Sequence, residues 1–599
     1  MSRRDRRASI RHGDSGDLFA EAMAHYRNGA LAPAQSLCRT ILARDRRHIG
    51  SLVLSGDIAQ QLGRNNQAVK LLGQALALDP AHPNAHDSIA MAYQALGQRN
   101  EAVRHFTLAM VVGLRNPELL VKQNAAVAAC LNRLAKAGSR YLPLAELFGG
   151  EDVGAIAEDA LLLAMLQSKA IVDMELERFL AAARRALLQR TGESEPFAPG
   201  PDALNFFCAL AQQCFINEYI FAFDDAERTR SQAIHDRLAG AIETGADIAP
   251  LDLAVASAYR PLYTLPLARL LLNREWSDEI ARLLTQQVRE PLEEISDRPD
   301  IPALTPVNDA LSLQVQNQYE ENPYPRWSIV PPVVPTTLEA FLRDRVGVTS
   351  LQGPINAEGI DILIAGCGTG SHPIDSARRF SQSRVLAVDL SRASLAYARR
   401  KTRELELRNI EYGQADILRL DALERRFDVI EAVGVLHHLA DPEAGWRTLL
   451  SLLRPNGLMF VGLYSALARR AVTAARVIIA ERGFSATAED IRTCRQELIR
   501  RGQVPPLGDF ASMSGCRDLL FNVMEHQFTI PRIKAFLDAN NLTFLGLDQV
   551  QPQVLRDFKA QYSGADHLAN LESWHAFEQT HPLAFSNMYF LWVQKRQPT

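Results

Sequence analysis

Two patterns of apolar residues divide the chain. Through its earlier part they recur at helical spacing, as in Ile171-Val-Asp-Met-Glu-Leu-Glu-Arg-Phe-Leu180 and Leu204-Asn-Phe-Phe-Cys-Ala-Leu-Ala-Gln-Gln-Cys-Phe215. From Asp361 the pattern changes to short, continuous apolar runs of the kind that form buried strands. Asp361-Ile-Leu-Ile-Ala365, Arg384-Val-Leu-Ala-Val-Asp389, Ile410 to Asp416, Phe427 to Glu431 and Leu458 to Tyr464 are the first five. Leu542 to Leu547 and Asn587 to Val593 complete seven expected strands. The spacing predicts an all-α N-terminal region followed by an α/β domain.

A period lies inside the helical part. Gly29, Gly63 and Gly97 are 34 residues apart, and so are Ala34, Ala68 and Ala102. Gly with its polar neighbours supplies the turn between two helices, and the small Ala lets those helices approach closely. The unit Pro83 to Asn116, with Ala90, Tyr93, Gly97, Ala102, Phe106 and Ala109, resembles the tetratricopeptide repeat. Leu131 and Lys136 stand where the next Gly and Ala would fall, so Glu118 to Lys136 reads as a capping helix. The stack is either a recruiting surface for a protein or peptide partner, or a packing and dimerisation device.

The candidate chemistry sits at Gly366-Cys-Gly-Thr-Gly370, a tight turn from the strand ending at Ala365 into a helix. Glycine serves where φ is positive or where a ligand comes too close for a Cβ. Asp389 ends the second strand about 20 residues on, where a carboxylate accepts hydrogen bonds from a ribose diol. Asp416 ends the third strand in the same way. A dinucleotide fingerprint would place its third Gly at 371, which is Ser371. With Gly434-Val-Leu-His-His-Leu439 after the fourth strand and Leu453-Arg-Pro-Asn-Gly457 before the fifth, the sequence resembles the class I S-adenosylmethionine-dependent methyltransferases.

That resemblance implies a Rossmann-like seven-stranded domain with its last strand antiparallel. It implies S-adenosyl-L-methionine as cofactor, held by Gly366, Cys367, Gly368, Gly370, Asp389, Leu390, Asp416, Ile417 and Val433. Many relatives carry an acid two residues before the first Gly, facing the methionine amino group; here that residue is Ile364. Prolines at 323 and 325 bar a regular helix in Gln318-Tyr-Glu-Glu-Asn-Pro-Tyr-Pro-Arg-Trp327. The segment resembles a methyltransferase lid, with Tyr319, Asn322, Tyr324 and Arg326 over cofactor and substrate; the alternative is a domain-joining linker. His437, at the end of the fourth strand, is a candidate base. Tyr324 and Tyr464 are further candidates for the catalytic site. Arg469, Arg470, Arg492, Arg495, Arg500 and Arg501, in the material inserted before the sixth strand, form either a basic rim for an acidic acceptor or solvated helix faces.

Length and composition bound the rest. At 599 residues several domains are required. We expect a disordered basic tail (1–16, with Arg3, Arg4, Arg6, Arg7 and Arg11), repeats (17–118), a helical domain (119–305), a lid or linker (306–349) and the methyltransferase domain (350–599, insertion 465–540). A formal net charge of −4 gives no global reason to expect nucleic acid or an acidic membrane. No apolar run reaches membrane-spanning length. Seven scattered cysteines without a C-x-x-C pair argue against a disulfide framework and a metal site, and fit a cytoplasmic setting. The expected function is methyl transfer to an N or O nucleophile, on a protein recruited by the repeats; a small-molecule or cell-surface precursor acceptor, or a catalytically silent scaffold, are the alternatives.

Overall fold

The 34-residue period is realised as three helix pairs, Arg3–Arg27 with Leu31–Arg44, Ile49–Gln61 with Asn65–Leu78, and Pro83–Ala95 with Arg99–Val112. Gly29, Gly63 and Gly97 stand at the three turns with φ of 74°, 70° and 73°, a conformation in which a Cβ would be strained. Ala34, Ala68 and Ala102 are fully buried between helices. The protein is described by a computed structural model covering residues 3–596, apart from 115, 151–152, 192–199, 349–350, 353–358, 506–507, 563, 565–566 and 587, with side chains described from residue 15 onward. The expected tail 1–16 is helical from Arg3; no proline interrupts it, and Phe19 and Met23 anchor the same helix in a buried cluster. Met1, Ser2 and Asn587 lie outside the described residues. The expected single capping helix is two, Pro117–Gln123 and Ala125–Ala137, because Asn124 ends the first and its side chain accepts from Ala126 N and Val127 N to start the second.

The chain falls into two compact units. One holds residues 1–213, 248–258 and 328–334; the other holds 214–247, 259–327 and 335–599. The boundary therefore cuts the stretch 119–305 expected to be one helical domain. Its later part is tied to the sheet unit by buried polar bonds: Glu294 Oε1 accepts from Arg400 Nε at 2.8 Å, and Glu218 Oε2 accepts from Ser514 N at 2.6 Å.

The sheet unit carries β1 (Asp361–Ala365), β2 (Arg384–Asp389), β3 (Ile410–Gln414), β4 (Phe427–Val433), β5 (Leu453–Leu463), β6 (Leu542–Leu547) and β7 (Tyr589–Lys595). Their order is β3-β2-β1-β4-β5-β7-β6. β1 to β5 are parallel and β7 runs antiparallel between β5 and β6. Alternate residues of each strand feed two cores. Leu363, Leu386, Ile430 and Met459 face one; Ile362, Ile364, Val385, Val429 and Phe460 face the other. Burial on both faces is why these strands read as unbroken apolar runs. Leu453 to Gly457, placed by the sequence before the fifth strand, opens β5 itself, with a bulge over Arg454 to Gly457, since Phe427 pairs with Leu453 and Val429 with Leu458.

The segment after Ile301 positions the site. Leu304 N donates to Gln414 O and Gln414 N donates to Pro302 O, each at 2.8 Å, which covers the edge of β3. Asp309 then caps the helix Ala310–Glu321, accepting from Leu311 N and Ser312 N. That helix lies across the end of β2. Gln316 Nε2 donates to Leu390 O at 3.2 Å, and Glu320 accepts from Arg392 N at 2.5 Å and Ala393 N at 3.2 Å, at the start of the helix Arg392–Glu404.

Candidate active site

The carboxyl ends of β1, β2, β3 and β4 open into a cavity of about 290 Å³, at the switch point where the strand order reverses. Of the residues expected to hold a cofactor, Gly366, Cys367, Gly368, Asp389, Leu390, Asp416, Ile417 and Val433 line it. Gly370 does not. It sits against Ala398, where a Cβ would collide, and so serves helix packing.

The loop is fixed from both sides. Asp389 Oδ2 accepts from Gly368 N at 2.8 Å and Oδ1 from Ser391 N at 2.9 Å. Burial raises this carboxyl's pKa, while those backbone bonds favour the charged form. Gly368 has φ of 52°, and a Cβ there would stand 2.7 Å from the carbonyl oxygen of Tyr324. The expected lid thus lies directly on the glycine loop. Trp327 Nε1 donates to Thr369 O at 3.2 Å, and the Thr369 hydroxyl donates to Pro325 O.

Tyr319 and Tyr324 line the cavity, but two of the four expected lid residues do not. Asn322 accepts from Arg517 Nη1 at 2.8 Å. Arg326 pairs with Glu218 at 3.2 Å and lies over the Phe215 ring, so it anchors the segment instead of facing a substrate. The two tyrosines reach into the insertion. Tyr324 donates to Asp509 Oδ1 and Tyr319 to Asp518 Oδ1, both at 2.6 Å. Burial, reinforced by these carboxylates, holds both phenols well above their ordinary pKa, so they act as donors.

His437 is not where its position in the sequence suggested. The residues after β4 form a tight turn, Leu436–His438, in which consecutive side chains diverge. His438 lines the cavity, and His437 is fully buried behind it against the Tyr464 ring, with centroids 3.9 Å apart. Neither ring nitrogen of His437 has a hydrogen-bond partner among the described residues. Burial, with His438, Arg469 and His526 nearby, pushes its pKa far below the ordinary value. It is neutral and cannot meet an acceptor in the cavity.

Tyr464, at the end of β5, does line the cavity. Its ring is clamped between His437 and the Arg469 guanidinium, which lies 3.5 Å from the ring centroid. Arg469 in turn is held by the fully buried Glu525, at 2.7 Å. Of the six arginines read as either a basic rim or solvated helix faces, none is among the residues lining the cavity, and Arg470 is exposed. Arg469 is buried, Arg495 donates to Phe510 O, Arg492 donates to Tyr219 O, and Arg500 and Arg501 pair with Glu497.

Asp518, Asp509, His372, Met588 and Val435 were not singled out in the sequence. Asp518 lines the cavity from the helix Met513–Phe521, and Tyr319 and Asn522 donate to the same oxygen, Oδ1. Its only sequence signal was membership of the insertion. No group of three or more potential metal ligands occurs among the described residues, and no helix there is long and apolar enough to cross a membrane.

Strand order, a glycine loop with acids at the next two strand ends, and a cavity over them define a class I S-adenosylmethionine-dependent methyltransferase domain. Residues 362–457 match the methyltransferase domain family, and residues 2–116 match the bacterial transcriptional activator domain family. An uncharacterized protein of Synechococcus is 27% identical over 237 residues, covering 36% of this chain and 55% of that protein. The ubiquinone biosynthesis O-methyltransferase of Methylocella silvestris is 35% identical over 123 residues, 20% of this chain and 44% of its own. The structure of PKMT2 from Rickettsia typhi aligns with a TM-score of 0.33 and 17% identity, over 43% of this chain and 52% of that one. The chain spans about half the length of the curated relatives it matches.

The cavity's donor set suits this cofactor. Asp389 and Asp416 offer carboxylates at the ends of β2 and β3, Leu390, Ile417 and Val433 offer apolar surface, and among the described residues no lysine or arginine lines the space to oppose a sulfonium.

Proposed function

We propose that this protein transfers a methyl group from S-adenosylmethionine to a nitrogen or oxygen nucleophile, and that the acceptor is a protein presented by the N-terminal repeats. The observation that carries the reading is the continuity of the cavity. Gly366 and Gly368 of the glycine loop, Asp389, Asp416, Tyr319, Tyr464 and Asp518 all line this one cavity. Bound S-adenosylmethionine would supply an electrophilic methyl group, so the protein's task is alignment and exclusion of water. Tyr324 and Pro325 close on the loop and keep water out. Asp518, with Oδ1 occupied by Tyr319 and Asn522, offers its other oxygen to the nucleophile and is the candidate to hold the acceptor's proton. His437 takes no part in that step. The seven cysteines are all buried and the sequence has no C-x-x-C pair, which supports a reducing, cytoplasmic setting.

The test is to incubate the protein with methyl-labelled cofactor and lysate of its source cells, then fractionate. Label in the protein fraction supports the proposal. Label confined to small molecules moves the acceptor to that class, and absence of transfer contradicts it.

A further inference from the structure

Ile364 leaves the strand before the glycine loop without a carboxylate, and the polar groups placed there instead are His372 and Glu431. Glu431 stands on β4 in register with Ile364 and is almost fully buried. Its Oε2 accepts from His372 Nε2 at 2.6 Å and from Ser376 Oγ at 3.0 Å. His372 is the second residue of the helix Ser371–Arg379 and lines the cavity beside Gly366, Cys367 and Gly368, with 30% of its side chain accessible. With Nε2 given to Glu431, Nδ1 is the remaining polar atom of the ring, and it has no hydrogen-bond partner among the described residues. An imidazolium in the first turn of a helix adds its charge to that of the turn's free N–H groups, an arrangement that attracts an anion.

The groups around the ring favour its charged form. Glu431 faces it from β4, Phe460 packs edge-on from β5 at 6.1 Å, and Asp375 and Arg379 of its own helix pair with each other at 2.9 Å. Burial opposes the charge, but Glu431 outweighs it and the net pKa is raised.

We propose that His372 receives the carboxylate of the amino-acid arm of S-adenosylmethionine, with Glu431 as the residue that positions its ring. This rests on the reading that the methyl-donor nucleoside occupies this cavity.

The experiment is calorimetric titration of the full-length protein with S-adenosylhomocysteine and with its decarboxylated analogue, which keeps the nucleoside, sulfur and ammonium. The wild type should bind S-adenosylhomocysteine roughly tenfold more tightly or better, the scale of a charge-assisted hydrogen bond. His372→Asn should remove that advantage and leave the analogue's affinity unchanged. Raising the pH through the imidazole titration should erode the advantage in the wild type, and Glu431→Gln should move that erosion to lower pH. An advantage that survives His372→Asn, or a substitution that weakens both ligands equally, overturns the proposal. Should the variants fail to fold, the wild-type pH profile decides: loss of the advantage on deprotonation supports the proposal and a flat profile overturns it. A wild type that binds neither nucleoside overturns the functional reading itself.

Discussion

Ile364 on β1 and Glu431 on β4 are Cα partners in the parallel ladder, so the carboxylate missing from the strand before the glycine loop is present on the next strand, on the same face. That carboxylate is taken up within the protein, where His372 Nε2 and Ser376 Oγ both donate to Glu431 Oε2.

Gly368→Ala should disturb the lid and the cofactor loop together. Its φ of 52° costs an alanine about 1–2 kcal/mol, and the new Cβ would press on the Tyr324 carbonyl. Calorimetry should show weakened cofactor binding, and thermal unfolding a lowered midpoint. Unchanged binding would mean that Tyr324 is not seated on the loop.

His437 gives a pH prediction. Its folded pKa is far below that of the unfolded chain, near 6.5. The unfolded state therefore binds a proton that the native state refuses as pH falls below about 6.5, and stability drops. His437→Leu, which removes two unpartnered buried nitrogens, should flatten this part of the stability profile measured by urea unfolding. Turnover lost outright in His437→Leu, with folding intact, would restore it as a catalytic group.

Glu525→Gln should be strongly destabilising, by about 3 kcal/mol, because Arg469 would be left with its charge buried. Tyr464, clamped by Arg469, should lose its fixed place in the cavity wall. The expected signature is a lower unfolding midpoint together with slower methyl transfer. A stability within 1 kcal/mol of the wild type, the scale of an exposed ion pair, would show that this pair is solvated.

Asp518→Asn tests the acceptor side. It keeps the shape and the bond from Tyr319 but removes the group that would hold a proton. Cofactor affinity should stay within about threefold, and transfer should fall about 100-fold or more. Equal effects on both would place Asp518 in the cofactor site.

The strands and the glycine loop were legible because local chemistry dictates them: apolar runs buried on two faces, positive φ at Gly368, and acids at the ends of β2 and β3. The helix turns at Gly29, Gly63 and Gly97 were legible for the same reason. What escaped depends on distant pairing. Asp509 and Asp518 meet Tyr324 and Tyr319 across 185 and 199 residues of sequence. Arg326 reads as a substrate contact until Glu218 appears beside it. His437 and His438 are indistinguishable until the turn Leu436–His438 sends one behind the cavity wall and the other into it. The domain boundary was missed because helical spacing reports burial without saying which core receives it.

The most direct measurement is calorimetric binding of S-adenosylmethionine to the wild type and to Asp389→Ala. The account predicts binding by the wild type, weakened by at least about 1–2 kcal/mol in the variant through lost hydrogen bonds to a charged group, and no binding of NAD. Binding of NAD with no response to S-adenosylmethionine, or equal binding by wild type and variant, would contradict it.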